Sequence, residues 1–420
     1  MTNPRPTWKS PWGYAEGIWV AVGLCIVGLG LQLSGHPLDP RALAWPVNLV
    51  LALAFTLALV LAHLFGRRSP WVNWLGRVPA ALCSIALITL LVLIMGLVLQ
   101  DDSTASPLVR RLGLSSMTRN WVFLFAMFWF LAALGIATLK RMIPWSWKNL
   151  GYLLNHLGLY IAVLGALLGA ADVQRLLMES REGEITWLAT DPHGHVYEMP
   201  LAIELIRFEK EEFPPKLAAV ETESHRMAPH SKLDMFEATS GHSGTIHGWQ
   251  VTVHEAHSLS MPVEDLFVPV YDLGAGPSAR VTAHHPETGE TREGWISCGS
   301  FAFPHRLLEL DETYSLAMTV PRASAYRSRI RLFTPDHEPR EALVEVNKPL
   351  TVGEWKVYQH SYDDRFGRWS TTSIFELILD PWLPVVYTGI FMLLAGSLYL
   401  MFKRRIARPS AANGDDHDPA

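Results

Sequence analysis

Apolar and polar positions along this chain fall into two regimes. Five long apolar runs stand close together, at 14–33, 45–65, 79–99, 121–139 and 151–171, and a sixth follows at 382–402. Each is about 20 residues long, enough to cross a bilayer as one helix. The first lacks a small-residue cleavage site and reads as a retained helix, not a signal peptide. Between the fifth and sixth runs lies a polar segment of roughly 210 residues in which the period changes from helical to alternating. MPLAIELIRFE (199–209), GWQVTVHEAH (248–257), SRIRLF (328–333), EWKVYQHSY (354–362) and TTSIFELIL (371–379) are rich in β-branched and aromatic residues. Breakers such as Pro214, Pro215, Gly274, Gly276, Pro335 and Pro339 separate them, so they read as strands. The piece 217–245 is polar and fits no period; it reads as a loop with a short helix. The pattern predicts a membrane α-helical bundle of six transmembrane helices. A large β-rich domain, sandwich-like or barrel-like around one core, is inserted between helices 5 and 6.

The fifth run, GYLLNHLGLYIAVLGALLGAA, carries one ionisable side chain, His156. On a helical wheel Gly158, Ala162, Gly165 and Gly169 fall on one side, a small-residue stripe that lets another helix approach closely. His156 falls on the opposite side, with Tyr160, Val163 and Leu167. The imidazole therefore faces a second neighbour or a bulky ligand, since a polar group at membrane depth needs a partner. Two readings stand at this point: a histidine bonded to a neighbouring helix, or an axial haem or metal ligand.

Basic residues orient the bundle. With the N-terminus inside, segments 1–13, 66–78, 140–150 and 403–408 carry two, three, three and four Lys/Arg. Outside, 34–44 carries one and the 100–120 loop three (Arg110, Arg111, Arg119). That loop is an exception to the positive-inside rule; every other segment agrees with both termini in the cytoplasm. Trp pairs at 71/74 and 145/147 then form an inner aromatic belt, and Trp45, Trp121 and Trp382 an outer one. The domain plan is 1–66 with two N-terminal helices, 67–171 with helices 3–5, an extracytoplasmic β-rich domain at 172–381, helix 6 at 382–402, and a cytoplasmic tail at 403–420 whose last dozen residues are polar and read as disordered.

Composition fits a membrane part plus a water-exposed part: 420 residues, 49% hydrophobic, 18% charged. A net charge of −5 gives no pointer to nucleic acid. Of the three cysteines, Cys25 and Cys83 lie in apolar runs and Cys298 stands alone in the polar segment. With no CxxC, the sequence offers neither a disulfide framework nor a c-type haem attachment motif, and Cys298 reads as a structural thiol. The close pairs His193/His195 and His284/His285, and His254/His257, lack a clustered third ligand at metal spacing. No Walker motif, GxGxxG or Ser/His/Asp ordering appears, so hydrolase, ATPase and dinucleotide chemistry have no support.

From about 79 to 402 the chain resembles the ResB (also called CcsB) family of the System II cytochrome c maturation pathway. The resemblance rests on an ordered set of segments: GLVLQ (96–100), LGLSSMTRNWVFLFAMFWFLAALGIATLKR (112–141), NHLGLYIAVLGALLGA (155–170), REGE (181–184), MPLAIELIRFEKEEFPPK (199–216), VEVNKPLTVGEWKVYQHSY (344–362) and DPWLPVVYTGIFMLLAGSLYLMF (380–402). It implies a non-catalytic subunit of a holocytochrome c synthase (haem lyase) complex in the bacterial inner membrane, its large domain on the periplasmic side. The implied partners are a CcsA-type membrane subunit, apocytochrome c and haem b, carried transiently and shared with CcsA. His156 matches the family's membrane histidine, expected to ligate haem; it lies about six residues past the inner end, roughly 9 Å deep. His63, near the inner end of the second run, is a weaker second candidate and reads as well as an interfacial residue. His360, in YQHSYDD, is a third, read also as a core or surface histidine. The two helices within 14–65 depart from the family's four-helix core, and packing or partner docking is their expected role. Two other functions compete: a membrane b-type haem redox protein, which wants two histidines per haem, and a non-haem envelope scaffold with a docking β-domain.

Overall fold

The computed structural model describes residues 8–35, 40–229 and 234–406. The chain divides into two compact units, one of Met1–Val173 with Asp380–Ala420 and one of Gln174–Leu379.

The helical unit contains α1 (Tyr14–Leu33), α2 (Val47–Phe65), α3 (Pro70–Leu75), α4 (Val78–Leu97), α5 (Pro107–Arg111), α6 (Trp121–Met142), α7 (Leu150–Gly169) and α8 (Leu383–Ile406) among the described residues. Six of these segments are long and apolar enough to cross a membrane. Their starts follow local chemistry. Pro70 opens α3, where a missing N–H costs nothing. The Asn120 side chain accepts from Val122 N at 2.8 Å and caps α6. Glu16 accepts from Gly13 N at 2.7 Å at the head of α1.

Helix α6 is the hub, with Ala126, Leu131 and Ile136 fully buried. Helix α1 lies against it where Gly28 meets Val122, and against α4 where Gly17 meets Cys83. Helix α2 reaches α7 through a Thr56–Tyr160 hydroxyl pair at 2.9 Å. The two N-terminal helices are thus packed into the bundle. One tryptophan departs from its expected place. Trp74 is not an interfacial anchor: it is 1% exposed, donates to Gly13 O at 3.0 Å, stacks on Trp129 and meets Trp12 edge-on. Enclosure by α1 and α6 outweighs the indole's interfacial preference.

Helices α7 and α8 form the closest pair. A Cβ on Gly158 would meet Gly389 O at 2.7 Å, and Gly165 and Gly151 face Val385 and Leu400. The expected small-residue stripe is therefore a seam, with Gly389 and Gly396 of α8 answering it. At one end of the seam Asp172 gathers three chain segments. Its carboxylate accepts from Trp45 N, Asn48 Nδ2 and Trp382 Nε1, each at 2.7 Å. Burial alone pushes this carboxyl up, but the three hydrogen bonds outweigh burial and hold it below its ordinary 3.8.

The second unit is all β among its described regular elements apart from short helical turns. One eight-stranded antiparallel sheet is nearly closed into a barrel. Its order runs β14 (His337–Glu345), β13 (Ala323–Thr334), β3 (Val196–Glu212), β2 (Ile185–Thr190), β1 (Gln174–Arg181), β17 (Thr372–Leu379), β16 (Trp355–Tyr362), β15 (Leu350–Val352). The first and last strands of the unit pair along their whole length, from Gln174↔Leu379 to Arg181↔Thr372. Met178, Ile203, Leu205, Val357 and Phe375 fill the barrel. A second core lies between two further sheets. One is β10 (Thr291–Ser297), β9 (Gly276–His284), β7 (Trp249–Val263) and β6 (Ser243–Ile246), with β8 (Leu266–Pro269) on β7. The other is β11 (Leu308–Glu309), β12 (Tyr314–Met318), β4 (Lys216–Glu221) and β5 (Phe236–Glu237). Leu217, Ile246, Trp249, Val251 and Ile296 fill that core.

The expectation of one core is therefore corrected to two main cores, with a small third cluster of Phe267, Trp295 and Phe303 among the described residues: alternation marks which positions face inward but not which sheet they meet. Within the 217–245 stretch, 217–221, 236–237 and 243–245 belong to β4, β5 and β6, most of the other described residues are turn and loop, and 230–233 lie outside the described residues, as do 407–420 of the expected tail. Cys298 packs against the second core, where burial first of all pushes its thiol up to about 11. It is protonated and inert at neutral pH, the structural role expected of it.

Two outcomes follow for the helical unit. Gly158→Val places methyl groups on the Gly389 backbone and should destabilise the unit by about 1–3 kcal/mol or more. Thermal melting of the purified chain in detergent reads this; an unchanged midpoint would contradict the seam. Asp172→Ala should cost about 1.5–3 kcal/mol at pH 7. Because the folded carboxyl titrates below its unfolded value, its contribution is full above the ordinary 3.8 and is lost as pH falls from there through the lower folded value. The gap between wild type and variant should close in acid; a gap that persists at the lowest pH would contradict it.

Candidate functional site

The face of α7 opposite the seam lines a cavity of about 1130 Å³. That exceeds ordinary small-ligand pockets of ~300–1,000 Å³. Tyr152, His156 and Leu159 enter it from α7 at helical spacing, while Phe130, Ala133, Leu134 and Ala137 come from α6 and Val78, Ala81 and Ile85 from α4. These apolar side chains form its walls. Its mouth is basic, with Arg77, Lys140 and Arg141 beside Trp145 and Asn149. The rim arises because α6 ends and α4 begins in basic residues, and the turn between α6 and α7 folds over the opening.

His156 is held in one orientation. Its Nδ1 lies 3.0 Å from Tyr152 O, the carbonyl one turn back. A carbonyl can only accept, so Nδ1 carries the proton and Nε2 keeps its lone pair. The ring lies nearly flat on Tyr152, centroids 3.7 Å apart with planes at 20°. Arg141 caps the stack, its guanidinium carbon 4.7 Å from the Tyr152 ring centre. Lys140 Nζ donates to Asn73 O at 2.8 Å, which fixes it at the rim. Arg77 is exposed and has no ion-pair partner among the described residues.

The site can therefore offer one soft nitrogen donor in an apolar slot, with cations at the opening. That fits an amphipathic, flat, dianionic macrocycle such as haem: iron to Nε2, carboxylates to the rim. A histidine whose other nitrogen bonds a carbonyl is the usual arrangement for an axial ligand. Among the described residues no second histidine, methionine or cysteine lines the cavity.

The other candidates lie elsewhere. His63 is buried at 4% exposure and does not line this cavity. Arg67 donates to its Nε2 at 3.3 Å and to its carbonyl at 3.2 Å, so that lone pair is engaged. His360 is exposed on β16 of the β unit, where its carbonyl accepts from Tyr326 Oη at 3.4 Å. The histidine pairs serve local structure: His195 Nδ1 meets Asp191 at 3.0 Å, His254 meets Thr282 at 2.8 Å, and His285 packs on Trp249. No group of three metal-ligating side chains is present among the described residues. Tyr152 was missed in the sequence, although its position four residues before His156 on one helix was a usable signal. The rim cations were read for topology alone.

Comparison with curated proteins finds no match. Comparison with protein families matches residues 145–375 to the ResB-like family. The match takes in α7, with Tyr152 and His156, and the β unit as far as β17. It is narrower than the resemblance read over 79–402, and leaves the α4 and α6 walls of the cavity outside it. Covering more than half of the sequence, it establishes that this chain belongs to the ResB-like family.

Proposed function

We propose that this chain is a haem-handling subunit of a System II cytochrome c maturation complex, working with a CcsA-type membrane partner. The observation that carries this is the His156 side chain: Nδ1 tied to Tyr152 O, Nε2 free in an apolar cavity with a cationic mouth. Membership of the ResB-like family, which points to cytochrome c biogenesis, supports it.

In this reading haem is cargo, not a resident cofactor. Tyr152 O holds the imidazole in the tautomer that presents Nε2 to iron. Phe130, Leu134 and Leu159 exclude water from that nitrogen, and Arg77 and Arg141 take the propionate carboxylates. With one ligand from this chain, the second axial group comes from the partner, which makes hand-over possible: ligand exchange at a single strong bond releases the cargo. The distribution of basic loops supports a reading with both termini in the cytoplasm of a bacterium and the β unit on the periplasmic side. There an extended CxxCH segment of apocytochrome c would add along a free strand edge while its cysteines form thioether bonds to the haem vinyl groups.

Deleting the gene should abolish covalent haem on c-type cytochromes and leave b-type haem intact; unchanged c-type spectra would remove the case. In the purified complex, His156→Gly should lose the haem absorbance of the wild type and regain it with added imidazole. Arg77→Gln should weaken haem retention about five-fold, the worth of an exposed ion pair of about 1 kcal/mol. A spectrum indifferent to both substitutions would show that haem is held elsewhere.

A further inference from the structure

The 100–120 loop breaks the charge rule that orients the rest of the bundle, and the structure gives a reason for its arginines. Arg110, Arg111 and Arg119 line a recess of about 440 Å³ together with Gln32, Asp102 and Ser116. The recess lies where α1 and α4 end and α6 begins, at the opposite end of α6 from the His156 cavity. Among the described residues none of the three guanidinium groups has an ion-pair partner. Among the described residues the one acid in the lining is Asp102, which accepts from Ser115 Oγ at 2.5 Å. A second observation stands beside it: Gln32 Oε1 is buried and has no hydrogen-bond partner among the described residues. The Gln32 amide lies beside Gly113, which bends the loop at φ 66°, and the side chain is half-buried.

Three unpaired cations ask for an anion, and a buried carbonyl oxygen asks for a hydroxyl or N–H. We propose that this recess binds the phosphoglycerol headgroup of an anionic membrane lipid. The phosphodiester lies among Arg110, Arg111 and Arg119, and the Gln32 amide turns toward the recess so that Oε1 accepts from a glycerol hydroxyl. Arginine forks suit phosphate oxygens. The lipid source, rather than a soluble phosphate, is favoured by position. The recess sits at the ends of spanning helices, and Leu108 beside it on α5 is 68% exposed, an apolar side chain placed for an acyl chain. The site explains why basic residues persist where the charge rule disfavours them. It is independent of the haem reading.

The test uses the full chain in micelles doped with phosphatidylglycerol, phosphatidylethanolamine, phosphatidylcholine or phosphatidic acid, and separately with soluble glycerol 3-phosphate. Phosphatidylglycerol should raise the melting midpoint most and survive as a bound adduct in native mass spectrometry, while glycerol 3-phosphate should do neither. Each of Arg110→Gln, Arg111→Gln and Arg119→Gln should weaken lipid retention about five-fold, and Gln32→Leu should erase the preference over phosphatidic acid. Equal response to every headgroup in the wild type overturns the site without recourse to any variant. Saturation by glycerol 3-phosphate alone assigns it to a soluble anion and overturns the lipid.

Discussion

The glycine seam of α7 is the constraint on which the rest of the helical unit depends. A membrane helix gains little from burying apolar side chains against apolar lipid, so close backbone approach must hold it in place. Gly158 against Gly389 supplies that approach and fixes the rotation of α7 about its own axis. Once the small face is committed to α8, residues 152, 156 and 159 must point the other way, into the space between α4 and α6. The seam is thus what keeps His156 out of helix packing and available to a ligand. The Asp172 hub pins one end of the same arrangement, tying α2 and α8 to the end of α7.

The inserted β unit solves a related problem within itself. A domain entered and left through membrane helices must bring its two ends together, and pairing β1 with β17 along eight residues does so. The barrel closes around these strands and buries its own core, leaving residues between β3 and β13 free to build a second. Two cores of moderate size in roughly 200 residues are consistent with domains of ordinary dimensions. Surface ion pairs between neighbouring strands, such as Arg331 with Glu204 at 2.9 Å and Arg327 with Glu209 at 3.2 Å, favour the β3–β13 register without adding much stability.

The sequence made some of this legible and hid the rest for physical reasons. Helix existence followed from length and apolarity, so the six spans and the seam face of α7 were readable. Strand positions such as 371–379 were readable from alternation. What paired with what was not: β3 joins both β2 and β13, and no local signal encodes a partner more than a hundred residues away. Trp74 was misplaced because an indole at a span end looks the same whether it faces lipid or two other tryptophan rings. Asp172 was invisible because its partners, Trp45, Asn48 and Trp382, come from segments far apart in sequence. At the site, His156 stood out as a lone ionisable group in an apolar run, whereas Tyr152 and the rim cations acquire meaning only once α6 is folded beside α7.

The central claim is that His156 Nε2 is the nitrogen this chain presents to a haem iron. The most direct measurement is electron–nuclear double resonance on the ferric haem complex of the chain labelled with 15N-histidine. The account predicts one strongly coupled 15N from an axial imidazole of this chain, present in the wild type and absent in His156→Gly bathed in unlabelled imidazole. A 15N coupling that persists unchanged in that variant would contradict it.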